Sequence, residues 1–174
     1  MSFPEGRLPL YAAVIGPGGE DVTAGDMAIA RRVGSLLADR GAVVVCGGLT
    51  GVMEAVCEGS AASGGLTVGL LPGSDRSDGN RYLSVVLPTG MGELRNGLVV
   101  NACDVVIAIG GSWGTLSEVS LAARARKPVV LVGGWVVEGL SGRPEPGVVR
   151  VASAEDAVEK AVELATAGMR RGSL

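Results

Sequence analysis

The sequence predicts a three-layer α/β Rossmann-like domain with a mainly parallel sheet of about six or seven strands. Three observations carry this. Short runs rich in valine, isoleucine, leucine and alanine recur along the chain and are apolar throughout rather than alternating. Strands of that kind are covered on both faces, as in parallel sheets. Between the runs lie segments whose apolar positions repeat at helical spacing, the alternation expected of βα units. The 29 glycines cluster where strands end instead of spreading evenly.

Tyr11-Ala12-Ala13-Val14-Ile15 reads as the first strand and runs into Gly16-Pro17-Gly18-Gly19. A helix follows from about Thr23 to Arg40, with Met27, Ala30, Val33, Leu36 and Leu37 on one face and Gly41 as its stop. Ala42 to Cys46 is the second strand, followed by Gly47-Gly48-Leu49-Thr50-Gly51 and a helix over roughly Val52 to Ala62. Leu66 to Leu71 is the third strand. The polar, glycine-rich stretch Pro72 to Arg81 reads as a mobile loop, and Tyr82 to Leu87 as the fourth strand. Pro88-Thr89-Gly90 leads into a helix from about Met91 to Ala102. Val105 to Ile109 is the fifth strand, with its helix from about Leu116 to Ala125. Lys127 to Val132 is the sixth, Gly133 to Pro146 an irregular stretch, and Val148 to Val151 a short seventh strand. Ala154 to Ala167 closes the chain as a helix in which Asp156 and Lys160 stand at i,i+4. No repeat or linker divides residues 1–174, so one domain is expected, with a frayed tail over 168–174.

Composition narrows the function. The net charge is −3 and aromatic residues are 3% of the chain, which gives neither a positive field nor stacking platforms for nucleic acid. No apolar run reaches the roughly 18 residues of a membrane span, and the N-terminal residues have no signal-peptide pattern, so a cytoplasmic protein without a membrane partner is expected. The absence of histidine removes Ser-His-Asp and Cys-His catalysis and the commonest zinc ligand, and no metal site is expected. Cys46, Cys57 and Cys103 lack CxxC spacing and read as small buried hydrophobes.

Glycine loops stand after the first, second and fifth strands. In a parallel sheet, ligands bind beyond the carboxyl ends of the strands. A strand, a glycine turn and a helix start in succession bring bare N–H groups and the positive end of a helix dipole to one spot, which suits phosphate. The stretch Asp104 to Glu118 is the fullest example. Gly16-Pro17-Gly18-Gly19 does not continue to G-x-G-x-x-G, because Asp21 stands where the last glycine belongs, so no dinucleotide fingerprint is present. Gly16, Pro17, Gly47, Gly48, Gly51, Gly110, Gly111, Ser112, Trp113, Gly114 and Thr115 are the candidate phosphate- and nucleotide-binding residues.

Cys46-Gly47-Gly48-Leu49-Thr50-Gly51-Val52-Met53, Gly92-Glu93-Leu94-Arg95-Asn96 and Gly110-Gly111-Ser112-Trp113-Gly114-Thr115-Leu116-Ser117-Glu118 together resemble the LOG-type nucleotide-binding superfamily. Its members include cytokinin riboside 5′-monophosphate phosphoribohydrolases, many long labelled lysine decarboxylase-like. The similarity runs from about Tyr11 to Val132 and is greatest to the short bacterial branch that also contains the molybdenum-cofactor carrier protein. The family pattern PGGxGTxxE is matched at Gly110, Gly111, Gly114, Thr115 and Glu118, with Ile109 in place of its proline. Arg95 matches the arginine of an ERK-like triplet, with Leu94 and Asn96 as departures, and the family's nearby histidine is missing. The only lysines are Lys127 and Lys160, away from the glycine loops, which argues against decarboxylase chemistry.

The resemblance implies a phosphorylated nucleotide or a molybdopterin-type cofactor as ligand, no required cofactor, and a homo-oligomer, either a dimer or a dimer of dimers. It makes Arg95 and Glu118 the candidate catalytic residues. Each marked residue has a second reading. Arg95 suits a phosphate or a salt bridge. Trp113 suits a base, a pterin or a subunit contact. Thr115 suits phosphate or the N-cap of its helix, and Thr115-Leu116-Ser117-Glu118 reads equally as a capping box. Leu98, Val99, Val100, Val119, Leu121 and Ala122 look too apolar for surface helices and point to self-association. A LOG-like binding or carrier protein is therefore expected, with a nucleoside 5′-monophosphate phosphoribohydrolase as the alternative.

Overall fold

The structure, a computed structural model, describes residues 9–139 and 142–171. Seven strands form one sheet in the order β4-β3-β2-β1-β5-β6-β7, all neighbours parallel. The strands are β1 (Tyr11–Ile15), β2 (Val43–Cys46), β3 (Leu66–Leu71), β4 (Val85–Pro88), β5 (Val105–Ile109), β6 (Val129–Val132) and β7 (Val148–Val151). The helices are α1 (Ala24–Asp39), α2 (Val52–Ala62), α3 (Asn96–Asn101), α4 (Trp113–Arg124) and α5 (Ala154–Arg171).

Strand residues divide between two apolar layers. Ala12, Val14, Val44, Cys46, Val105, Ile107 and Ile109 pack with α1, α2 and α5. Ala13, Ile15, Val43, Val45, Val106 and Ala108 pack with α3 and α4. Period-two alternation between two buried faces is what makes each central strand read as one continuous apolar run. Among the described residues, no helix is long and apolar enough to cross a membrane.

Differences from the expected elements have local causes. The expected helix over Met91 to Ala102 splits into a 3₁₀ turn at Gly92–Arg95 and the short α3. Gly90 and Gly92 take left-handed φ of 65° and 56°, which no helix accommodates. The fourth strand starts at Val85 rather than Tyr82: the Thr67 hydroxyl donates to the Tyr82 carbonyl, and the Ser84 N–H is shared between the Thr67 hydroxyl and the Thr67 carbonyl, so regular pairing begins only at Val85. Asp156 caps α5 with Ser153 rather than pairing with Lys160, which bonds Glu163. α5 continues to Arg171, so the expected frayed tail is helical that far; residues 172–174, like the N-terminal residues 1–8, lie outside the described residues.

α1 and α2 touch backbone to backbone. A Cβ added at Gly34 lies 2.1 Å from the Val56 carbonyl oxygen, and one at Gly59 lies 1.9 Å from that of Arg31. No rotamer relieves such contacts, so the helices must separate if either glycine is replaced. Gly59→Ala is expected to cost about 3 kcal/mol through overpacking. Gly25→Ala, whose Cβ meets only Thr23 Oγ1 at 3.6 Å, is expected to be neutral or slightly stabilising. Urea unfolding of the two variants checks the contrast.

Candidate functional site

The chain adds strands outward from β1 to β4, then returns to place β5 on the other side of β1. The crevice where the order reverses is the site that parallel α/β sheets offer to ligands. A pocket of about 340 Å³ opens there, lined by Ile15 and Gly16 from the end of β1, Gly47 and Leu49 after β2, Pro72 after β3, and Ser112, Gly114, Thr115 and Glu118 after β5. Glu93, Arg95 and Asn96 form another wall, and Gly18 and Met53 complete it.

Two helices begin at this pocket. α2 starts after Gly51, whose φ of 70° makes the turn and which supplies no side-chain cap. The Val52 N–H donates to the Pro17 carbonyl at 3.1 Å, tying the first two glycine loops together. The next N–H, at the pocket-lining Met53, has no intrahelical acceptor. α4 begins at Trp113, one turn earlier than its periodicity predicts. Ser112 is its N-cap, with Oγ accepting from the Thr115 N–H at 3.2 Å. The capping-box expectation is therefore corrected: Thr115 is the third helical residue, and Glu118 lies a turn inside the helix, free of any capping duty. Gly114, at the pocket, carries a second N–H without an intrahelical acceptor.

Arg95 and Glu118 meet in the pocket, 8% and 7% exposed. Nη1 and Oε1 stand 3.6 Å apart, an ion pair beyond hydrogen-bonding distance. Arg95 Nε is buried and has no acceptor among the described residues. The guanidinium lies against Gly47, where a Cβ would come within 2.5 Å of Nη2 and 2.7 Å of Nη1. Glycine at 47 is thus what admits the cation. Burial pushes Glu118 up from 4.5 to about 7, opposed by the charge of Arg95. A buried cation with uncommitted donors, beside a carboxyl group near neutrality and bare helix starts, presents anion-binding and proton-exchanging groups together.

The other candidate residues divide by depth. Gly16, Gly47, Ser112, Gly114 and Thr115 line the pocket; Pro17, Gly48, Gly51, Gly110, Gly111 and Trp113 do not. Gly48, Gly51, Gly110 and Gly111 shape the turns behind it, and Gly110 packs against the Asp26 carboxylate. Trp113 projects beside it, 78% exposed, with its ring centroid 5.3 Å from that of Trp135. Glu93 and Asn96 stood in the motif around Arg95 but were not picked as site residues; the 3₁₀ turn brings them to the wall. Leu49 and Met53 lay within a quoted motif but carried no chemical signal. The cysteines are buried, with Cys46 and Cys57 Sγ atoms 3.6 Å apart. Contact with Cys46 and burial push the Cys57 thiol up, and burial pushes Cys103 up to about 12. Neither of these thiols supplies a ready thiolate.

A second groove, of about 370 Å³, lies between α1 and α2. Most of its charged groups satisfy one another: Arg31 pairs with Glu58, the Tyr82 hydroxyl donates to Glu58 at 3.4 Å, and Arg81 donates to that hydroxyl at 2.8 Å, while Glu54 adds a carboxylate rather than an anion-binding donor. The smaller pocket, with uncommitted donors, is the functional candidate.

The raised Glu118 sets a pH dependence. Its folded-state value lies above the unfolded one, so its stabilising contribution is fully present below pH 4.5 and is lost as pH rises through about 7. The unfolding free energy of the unmodified protein minus that of Glu118→Gln should fall by about 3 kcal/mol across that window and then level off. Urea titrations at a series of pH values measure it; a flat difference would mean that the carboxylate is solvated.

Comparison with known proteins agrees with this fold. The molybdenum cofactor binding protein of Rippkaea orientalis shares 33% identity, with a TM-score of 0.81 over 92% of this chain and 99% of that one. The molybdenum cofactor carrier protein of Chlamydomonas reinhardtii shares 28% identity, with a TM-score of 0.78 over 90% of this chain and 98% of that one. An uncharacterized protein of Archaeoglobus fulgidus is 41% identical over 113 residues, 64% of this chain and 74% of its own length. The SLOG cluster4 family matches residues 9–163, nearly the whole described fold, and the chain belongs to that family.

Proposed function

We propose that this protein binds a phosphorylated pterin or nucleotide at the β1/β5 crevice and serves as a small-molecule carrier or binding protein. The observation that carries this reading is the buried Arg95 guanidinium, whose Nε has no acceptor among the described residues and whose ion pair with Glu118 is long. A phosphate meets that need with charge-assisted hydrogen bonds. The N–H groups at Met53 and Gly114 add donors around it, and the hydroxyls of Ser112 and Thr115, hydrogen-bonded to each other at 3.0 Å, leave one hydroxyl hydrogen to add a further one. The pocket volume suits a small ligand. Trp113, at its side, offers a face for a fused ring. A molybdopterin-type cofactor fits as cargo by its phosphate and its pterin, in keeping with what the Rippkaea and Chlamydomonas proteins are named for. We place the protein in the cytoplasm, where its unbridged cysteines stay reduced.

Glu118 supports a second reading. It does not cap its helix, it faces the pocket beside Arg95, and it titrates near neutrality. Such a carboxyl group can activate water or stabilise an oxocarbenium-like ribose, as hydrolysis of a nucleoside 5′-monophosphate requires. Arg95 would then hold the phosphate.

Self-association accompanies both readings. Val99, Val100, Val119 and Ala122, expected at the surface, are core residues, because the thin α3–α4 layer needs them to cover the sheet. Leu98 and Leu121 remain exposed, and Leu94 is 79% exposed. These side chains on adjoining elements form an apolar face suited to a second copy.

Two measurements follow. Mass spectrometry of ligand released from gently purified protein identifies the cargo, and calorimetry with AMP and GMP tests nucleotide affinity. Arg95→Ala should weaken binding roughly tenfold to a hundredfold. Glu118→Gln should preserve binding and, under the hydrolase reading, abolish base release. Absence of base release from every purine and pyrimidine 5′-monophosphate tested leaves the carrier reading alone. Light scattering should report a dimer or tetramer at micromolar concentration, reduced to monomer by Leu98→Glu with Leu121→Glu.

A further inference from the structure

The geometry points to Trp135, on the loop after β6, as the positioning residue for the binding turn at the start of α4. The inference rests on the reading of that turn as a ligand-binding element and adds a residue from outside its motif. Trp135 does not line the pocket. It instead holds three consecutive residues of the turn in three different ways.

Its indole lies against Gly111, where a Cβ would fall 2.9 Å from both Cδ1 and Nε1. Its Nε1–H donates to the Ser112 carbonyl at 3.1 Å. Its ring packs against Trp113 at a centroid distance of 5.3 Å and a tilt of 47°. The Ser112 carbonyl also accepts from the Leu116 N–H at 2.9 Å, the first hydrogen bond of α4. The indole therefore braces the acceptor on which the first turn of the helix is built. The loop backbone is pressed against the same turn, since a Cβ at Gly134 would lie 1.9 Å from the Gly110 carbonyl oxygen.

Preorganisation gives this contact functional consequence. Donors at a helix start favour an anion most when they need no rearrangement to face it. Fixing Ser112 fixes Thr115, whose N–H bonds Ser112 Oγ, and the intervening Gly114 at the pocket wall. Propping Trp113 limits the directions that its exposed ring can take, so any planar group stacked on it meets a set orientation. A loop outside the glycine motifs thus governs how rigid the anion site is.

A double-mutant cycle tests the assignment. Trp135→Phe keeps the packing on Gly111 and removes the donor to Ser112. Amide hydrogen exchange over residues 113–116 should quicken, while the melting temperature stays within a few degrees. The chain has two tryptophans, so in this variant the emission comes from Trp113 alone, and its anisotropy should show a freer ring. Affinity for GMP should weaken about fivefold, the effect of one neutral hydrogen bond. Gly111→Ala should weaken GMP binding when Trp135 is present and have a much smaller further effect in a Trp135→Ala background, where the indole contacts are gone and only the 3.3 Å approach to Gly134 Cα remains. Unchanged exchange and restricted anisotropy in Trp135→Phe would overturn the assignment. So would altered exchange with unaltered GMP affinity in a protein whose parent binds GMP. A parent that fails to bind GMP counts against the nucleotide reading instead, and exchange and anisotropy then decide the role of Trp135. If Trp135→Ala does not fold, Trp135→Phe and Gly111→Ala carry the test.

Discussion

Parallel pairing throughout the sheet is the constraint on which the rest of this molecule depends. Parallel pairing forces each connection to cross back over the sheet, by an α-helix in four cases and, among the described residues, by non-α-helical chain after β3 and β6, so each strand delivers its following loop to the same edge. The chain winds one way from β1 to β4 and the other way from β5 to β7, and the edge opens where the two directions part. Loops separated by some hundred residues of sequence become neighbours there with no contact designed to bring them together. The pocket follows from topology before any of its side chains is considered.

Its chemistry follows from a local electrostatic tension. Arg95 and Glu118 are buried together, yet their contact is too long to satisfy both. Desolvation raises the carboxyl group toward neutrality, and the guanidinium keeps donors uncommitted. A buried pair of this quality adds little stability, since desolvation offsets most of the attraction. The proposed ligand would complete its set of hydrogen bonds. Gly47 makes the arrangement sterically possible by leaving the Arg95 head group room against bare backbone.

The two faces of the sheet are unequal, and function follows the inequality. α1, α2 and α5 form a thick layer, with α1 and α2 in backbone contact at Gly34 and Gly59. On the other face α3 is six residues long and lies beside α4. That thinner layer carries Arg95 at its entry and Glu118 and Thr115 within it, and leaves Leu98 and Leu121 uncovered. The thick layer holds the sheet; the thin one carries the buried Arg95–Glu118 pair and the exposed leucines.

Strand identity was legible in the sequence because doubly buried strands must be apolar throughout. β1, β3 and β5 have the expected bounds for that reason, and β7, an edge strand with Arg150 exposed, has them through its three valines alone. The convergence of glycine loops at one edge was legible too, since it depends only on parallel topology. Other features were decided by tertiary contacts. Thr115 and Ser112 both carry the hydroxyl a helix cap needs, and local propensity does not choose between them; Trp135, bonding the Ser112 carbonyl from a distant loop, braces the cap at Ser112. Arg95 was visible as a cation in a motif, but its burial against Gly47 requires two left-handed glycines and a 3₁₀ turn to aim it. Spacing alone paired Asp156 with Lys160, but the helix start gives Asp156 to Ser153. Sequence alone determined which segments are strands and at which edge they meet, because burial on two faces and chain direction are written residue by residue. The tertiary structure alone decided which polar groups remain unsatisfied at that edge, because satisfaction depends on partners that the chain order does not bring close.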